Sequence, residues 1–283
     1  MADRNQKEKK KQSGASRVLS TIIIICAAVV LVISGYKLFT LWQEYHAGTV
    51  EYNQVAEEVI KEEEETPEVD PTQRGDGQWV PEIDWDTLLA KNSDVVGWIR
   101  FPQPEVINYP VVYCSDNDYY LHHTLELTYL FSGCIFIDMN NVREMTDANT
   151  IVYGHNMDDG SMFGELDKYR KEEFFNENQY FYFQTPDGGA YKYQVLAFYE
   201  TLADSESYKI GFDSREQYQA FQEACQAQSM YASQAQINPD APMLTLSTCT
   251  NRAEDGRYLL QGILVETIKE GTTARQTLNW GVQ

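Results

Sequence analysis

Histidine is scarce in this chain of 283 residues, which has only four. Imidazole chemistry near neutral pH must therefore draw on His46, His122, His123 or His155. The five cysteines, Cys26, Cys114, Cys134, Cys225 and Cys249, lack the paired spacings of a zinc site. No papain-like Cys–Trp segment opens the domain, which argues against a general cysteine protease of that kind. Basic residues thin out after the amino-terminal region. Ahead of Glu44 stand seven of them against Asp3 and Glu8; the remainder carries 15 basic and 41 acidic residues, a net charge of −26. Such a surface repels nucleic acid, and no basic aromatic face offsets it. Internal repeats are absent, and the acidic run Glu62–Glu65 is the one biased tract.

One long apolar run is present. Val18 to Tyr36 contains no charged residue. As a helix these residues would extend about 28 Å, close to the hydrocarbon thickness of a bilayer. Lys37 is placed to snorkel, and Tyr36 and Trp42 suit an interface. The run is long for a signal peptide, and no small-x-small cleavage site follows it. The preceding basic cluster predicts an amino terminus held in the cytoplasm, with everything after about Trp42 outside. The expected organisation is a cytoplasmic basic tail (1–17), a transmembrane helix (18–42), an acidic stalk and linker (43–78) and a folded domain (79–283). Gln43 to Glu65 reads as a helical stalk. Thr66 to Gln78, rich in Pro, Gly and Asp, reads as a flexible linker.

In the folded domain, Ile83–Asn92 reads as a short helix. Eight strand-like runs then recur: Val95–Phe101, Ile107–Cys114, Gly133–Asp138, Thr150–Gly154, Tyr180–Gln184, Ala190–Thr201, Met243–Cys249 and Tyr258–Ile268. Turn chemistry such as Pro186-Asp187-Gly188-Gly189 separates them. Many strands with few helices predict a mostly β fold, a closed barrel or a sandwich. One helix, Ser214 to Tyr231, falls between the sixth and seventh runs. Ser214 and Gln217 have the spacing of a capping box, and Cys225 shares an apolar face with Tyr218 and Phe221. Cys114 and Cys134 each border a strand; they read as buried free thiols or as a disulfide pair.

Cys249 is the residue best suited to make and break bonds. It ends an apolar, β-branched run, where a sheet edge would hold the thiol rigidly. Arg257 opens the next run, so neighbouring strands would return a cation beside the thiol and favour thiolate. Arg252 lies nearer in sequence, in the intervening loop, and competes for that role. Asn251 is placed to orient a partner group. His155 ends another strand-like run, bracketed by Gly154 and Gly160, where a strand fixes the backbone and a loop exposes the side chain. Asp158 and Asp159 invite a calcium reading, but their spacing fits no EF-hand loop.

Leu246-Ser-Thr-Cys249 followed by Arg257, with Tyr153-Gly-His155-Asn upstream, resembles the sortase family of cell-surface transpeptidases. Asp94-Val-Val-Gly-Trp-Ile, Tyr109-Pro-Val-Val, Asp116-Asn-Asp-Tyr-Tyr-Leu121 and Gly154-His-Asn-Met-Asp-Asp-Gly-Ser-Met-Phe-Gly164 are similar to class B segments. The likeness runs from about residue 82 to 268. It implies an eight-stranded sortase-like β-barrel with a helix between the sixth and seventh strands. By position it makes Cys249 the nucleophile, His155 the proton-transfer group and Arg257 the stabiliser of the substrate carbonyl and oxyanion. Asn117, Leu121, Ser247 and Thr248 match peptide-groove positions. The implied partners are secreted proteins with a carboxy-terminal sorting signal and a cell-wall amine, from a peptidoglycan precursor or cross-bridge. No cofactor or metal is implied. A pilin-type polymerase, or a binding module without turnover on the same fold, are the alternative readings. Two departures stand out: Cys134 occupies a position expected to be small and thiol-free, and Thr124–Phe131 is unusually apolar.

Overall fold

The computed structural model describes residues 2–61, 80–250, 255–272 and 278. The chain divides into two compact units, Met1–Ala47 and Gly48–Gln283.

Helix α1, Ala2–Val59, begins in the first unit and ends in the second. In the first unit, Val18–Thr40 is long and apolar enough to cross a membrane, with a mean hydropathy of 2.8. The expected stalk behaves differently once it enters the second unit. Tyr52, Val55 and Val59 of α1 are buried, at a spacing of three and four residues that puts them on one helical face. Ile60–Lys61 then pairs antiparallel with Glu82–Ile83. Gly48–Lys61 is thus part of the folded body. Its glutamates masked a narrow apolar stripe that has a partner only in three dimensions. The expected linker, 66–78, lies outside the described residues.

The second unit is built on a closed barrel of eight strands, as expected. They are β1 (Val95–Arg100), β2 (Asn108–Tyr113), β3 (Ile135–Ile137), β4 (Asn149–Tyr153), β5 (Tyr180–Gln184), β6 (Ala190–Leu202), β7 (Met243–Cys249) and β8 (Gly256–Lys269). Around the barrel the order is β8-β6-β5-β1-β2-β3-β4-β7, with β7 closing on β8. Two pairings are parallel, β2 with β3 and β4 with β7; the rest are antiparallel. Each strand-like run of the sequence became one strand, with ends within about two residues. The runs are rich in Val, Ile, Tyr and Phe, which fit a pleated surface with both faces covered. Closure leaves no open sheet edge in the barrel.

Two shorter helices flank it, α2 (Trp85–Lys91) and α3 (Glu172–Glu177). Helix α4 (Arg215–Gln228) sits in the β6–β7 connection and packs through Tyr218 against Leu196, Met243 and Ile263. Only half of the expected capping box forms. Ser214 Oγ accepts from Gln217 N at 3.2 Å, but Gln217 Oε1 accepts from Asp213 N at 2.9 Å. Cys225 is buried as expected, and all five cysteines are free thiols. Cys134 is buried, while Cys114 is half-buried and donates to Asp116 O at 3.0 Å.

Gly97 of β1 lies close under the Phe183 ring of β5. A β-carbon there would overlap the Phe183 ring and sit 2.8 Å from Gln184 O. Gly97→Ala should therefore destabilise the protein by about 1–3 kcal/mol through overpacking, read as a lowered thermal midpoint. An unchanged midpoint would show that β1 and β5 can separate freely.

Candidate active site

Strand direction assembles the site. Because β4 and β7 run parallel, with Tyr153 opposite Ser247, their carboxy-terminal ends reach the same rim of the barrel. Gly154 N continues the ladder to Ser247 O at 3.2 Å. His155 therefore leaves β4 beside the end of β7, where Cys249 is the last residue. Strand β8 returns antiparallel, and Arg257 pairs directly with Cys249. Residues opposite one another in an antiparallel pair project to the same face, so the cation comes back beside the thiol.

One cavity of about 350 Å³ opens at this rim. His155, Cys249 and Arg257 line it together with Asn117, Leu121, Ser247 and Thr248. The seven residues singled out from the sequence thus meet around one space. Arg252 and Asn251 lie outside the described residues.

Cys249 is exposed. Its carbonyl accepts from Asn156 Nδ2 at 2.8 Å, tying the end of β7 to the residue after His155. Arg257 donates from Nη1 to Gly256 O at 2.9 Å. His155 is half-buried, and its Nε2 lies 2.8 Å from Leu121 O. A carbonyl can only accept, so Nε2 carries the proton and Nδ1 of the neutral ring is left as the acceptor. The Phe131 ring stacks on the imidazole with centroids 5.1 Å apart. Desolvation is the largest influence on His155 and holds its pKa below the ordinary imidazole value. The Leu121 carbonyl works against that shift, and His122 adds to it.

The groove residues are each held in place. Asn117 donates to Asp138 Oδ2 at 3.0 Å and accepts from Met139 N at 2.8 Å. Ser247 is buried and hydrogen-bonds Tyr208 OH at 2.7 Å. Thr248 Oγ1 is buried with no hydrogen-bond partner among the described residues. Asp159 Oδ1 accepts from both the backbone N and Oγ of Ser161, at 3.0 and 2.6 Å. That carboxylate thus shapes the turn after His155.

Sequence reasoning missed Tyr153 and Tyr208 as cavity residues. Their rings stack at 6.3 Å, and Tyr153 OH donates to Asp138 Oδ2 at 2.8 Å. Burial pushes both phenols up, so they stay neutral donors. Tyr153 opens the Tyr153-Gly-His155-Asn segment and so carried a signal. Tyr208 carried none, because its short helical turn, Glu206–Tyr208, comes from the distant β6–β7 connection.

His155 also makes stability depend on pH. Its folded pKa lies below the ordinary value of 6.5, so below that pH the unfolded chain takes up a proton that the folded chain resists. Stability is then lost as pH falls through the folded pKa. The His155→Gln variant should lose less urea stability than the natural protein between about pH 7.5 and 5. Equal losses would contradict the desolvated imidazole.

Comparisons with known proteins agree with this architecture. The sortase domain family profile matches residues 102–265. Sortase B of Listeria monocytogenes is 37% identical over 180 residues, covering 63% of this chain and 72% of that protein. Sortase B of Staphylococcus aureus is 28% identical over 233 residues, covering 81% and 88%. The crystal structure of Bacillus anthracis sortase B in complex with AAEK1 superposes with a TM-score of 0.65 at 30% identity, covering 80% of this chain and 99% of that one. The chain belongs to the sortase family, whose members are cysteine transpeptidases, and within that family it is of the sortase B type.

Proposed function

We propose that this enzyme cleaves a carboxy-terminal sorting signal of secreted proteins and transfers them to a cell-wall amine through a thioester on Cys249. The observation that carries this reading is the direct pairing of Cys249 with Arg257 at the rim where His155 leaves β4.

In the proposed reaction Cys249 gives its thiol proton to His155 Nδ1 and, as thiolate, attacks the carbonyl carbon of a peptide bond lying in the cavity. Negative charge builds on the carbonyl oxygen. Arg257, permanently cationic and rich in donors, stabilises that oxyanion. The C–N bond then breaks as His155 gives a proton to the leaving amine, and the acyl group stays on sulfur. An acceptor amine, losing its proton to His155, attacks the thioester carbon; the C–S bond breaks, and the leaving thiolate takes that proton back from His155. A peptidoglycan precursor or cross-bridge supplies that amine. When water attacks instead, the outcome is hydrolysis. Asn117, Leu121, Ser247 and Thr248, which line the cavity, contact the bound peptide.

The apolar segment of α1 fits the same job. As a single-pass anchor over 18–42, with 1–17 in the cytoplasm, it would hold the catalytic body outside the membrane, where exported substrates emerge. The run Val18–Thr40 supports this placement by length and composition.

Incubation of the full chain with a panel of sorting-signal peptides should yield a hydroxylamine-sensitive adduct at Cys249, seen by mass spectrometry. The Cys249→Ala variant should give neither adduct nor cleavage. The Arg257→Ala variant should lower kcat by about 10²–10³, the typical loss for one oxyanion donor, about 2.7–4 kcal/mol in the barrier. A broad panel that leaves Cys249 unmodified would sink the reading.

A further inference from the structure

The loop between β2 and β3 meets His155 twice, through Leu121 O at 2.8 Å and through the Phe131 ring at 5.1 Å. Its far end is held by Tyr52 from the last turns of α1. Tyr52 OH donates to Gly133 O at 2.6 Å and lies 3.1 Å from Cys134 Sγ, with its side chain buried. Gly133, at φ +54°, packs against the carbonyls of Tyr120 and Leu121; a β-carbon on it would sit 2.6 Å from Leu121 O. Cys134 N donates to Tyr120 O at 2.9 Å. The carbonyl that orients His155 therefore lies close against Gly133, whose own carbonyl Tyr52 holds. Other contacts of the same helix reinforce the hold. Gly48 approaches Ser132 so closely that a β-carbon would lie 2.5 Å from its Oγ, and Glu51 Oε1 accepts from Glu126 N at 3.4 Å.

Tyr52 is also linked to the loop that follows His155. Its ring packs edge-on against Tyr109 at 5.4 Å, and Tyr109 OH accepts from Met162 N at 3.0 Å. Met162 bridges Asn156, the residue after His155. The β2–β3 loop and the loop after His155 thus share one buried phenol. A hydroxyl with two buried polar neighbours fixes both only while it is present; removing it leaves the Gly133 carbonyl unpaired.

We propose that Tyr52, on the helix leading into the catalytic body, is a positioning residue for His155, acting through the Leu121–Gly133 loop. The proposal rests on the reading of His155 as the proton-transfer group. It also gives the unusual Cys134 and the apolar Thr124–Phe131 stretch a use, as the seat of the Tyr52 hydroxyl and the cover over the imidazole. The titratable groups around His155 are His122 of the loop, Cys249 of β7, Arg257 of β8, and Tyr153 and Tyr208 across the cavity. Those beside Tyr52 are Cys134, Glu51 and Tyr109.

The test uses the full chain in detergent with labelled histidine, so that the His155 ring can be titrated by NMR without substrate. The Tyr52→Phe variant should let water reach the imidazole and move its pKa up toward the ordinary value. The acid limb of kcat/KM should follow, and kcat should fall about tenfold, as expected when a catalytic group is displaced by a fraction of its contact distance, with KM little changed. The Phe131→Leu variant, at a partly exposed position, should shift the same titration in the same direction even if Tyr52→Phe fails to fold. Val59→Ala, about two helical turns further along α1, should lower the thermal midpoint and leave the His155 titration alone. A His155 titration and pH profile unchanged in folded Tyr52→Phe, or in Phe131→Leu if that variant does not fold, would overturn the proposal. Natural protein that neither cleaves peptides nor forms a thioester, while its titration moves as described, would instead overturn the assigned function and leave the positioning intact.

Discussion

The parallel pairing of β4 with β7 is the constraint on which the site depends. In a parallel ladder both chains leave the sheet at the same end. The register Tyr153 opposite Ser247 puts His155 and Cys249 two residues beyond that shared level. A shift of one residue would turn every side chain of β7 to the other face and carry the thiol away from the cavity. The antiparallel return of β8 then needs no further device to bring Arg257 back, because it pairs with Cys249 directly. Barrel closure fixes this register from both sides, since β4 also pairs with β3 and β8 with β6.

The rim has its own electrostatic character within a strongly acidic molecule. Arg257 is the cation among the described residues that line the cavity, and the nearby acids Asp138 and Asp159 are already hydrogen-bonded. Asp138 accepts from Asn117, Tyr153 and Asn140, and Asp159 from Ser161. With carboxylates tied into turns and phenols kept neutral by burial, the proposed oxyanion would meet Arg257 in a partly desolvated space. There the interaction is stronger than it would be in water. The same desolvation disfavours the charged imidazolium of His155, leaving the neutral ring with the acceptor that the proposed proton transfer requires.

Much of this was legible beforehand. The eight β-rich runs between turn residues needed only local pattern, since each is short, rich in β-branched and aromatic residues and bounded by loops. The placement of His155, Cys249 and Arg257 at strand ends followed from the same runs. The carboxy-terminal part of α1 was less legible. Its stripe of Tyr52, Val55 and Val59 is narrow and surrounded by glutamates, so its composition resembled a solvated stalk. Tyr208 illustrates a different limit. Nothing local distinguishes it, and it joins the cavity only because the β6–β7 connection folds back to meet Ser247.

By itself, the order of residues determined the strand content, the apolar amino-terminal run, the acidic body and which thiol, imidazole and guanidinium stand at strand ends. These are properties of short stretches, set by side-chain shape, hydropathy and turn chemistry. Only the tertiary structure decided that the ends converge. It set the tautomer of His155 through Leu121 O, buried Tyr52 beneath the loop that holds that carbonyl, and brought Tyr208 to Ser247. Each of those outcomes pairs residues tens to scores of positions apart. Such a pairing depends on closure of the barrel and its register, which no local stretch of sequence encodes.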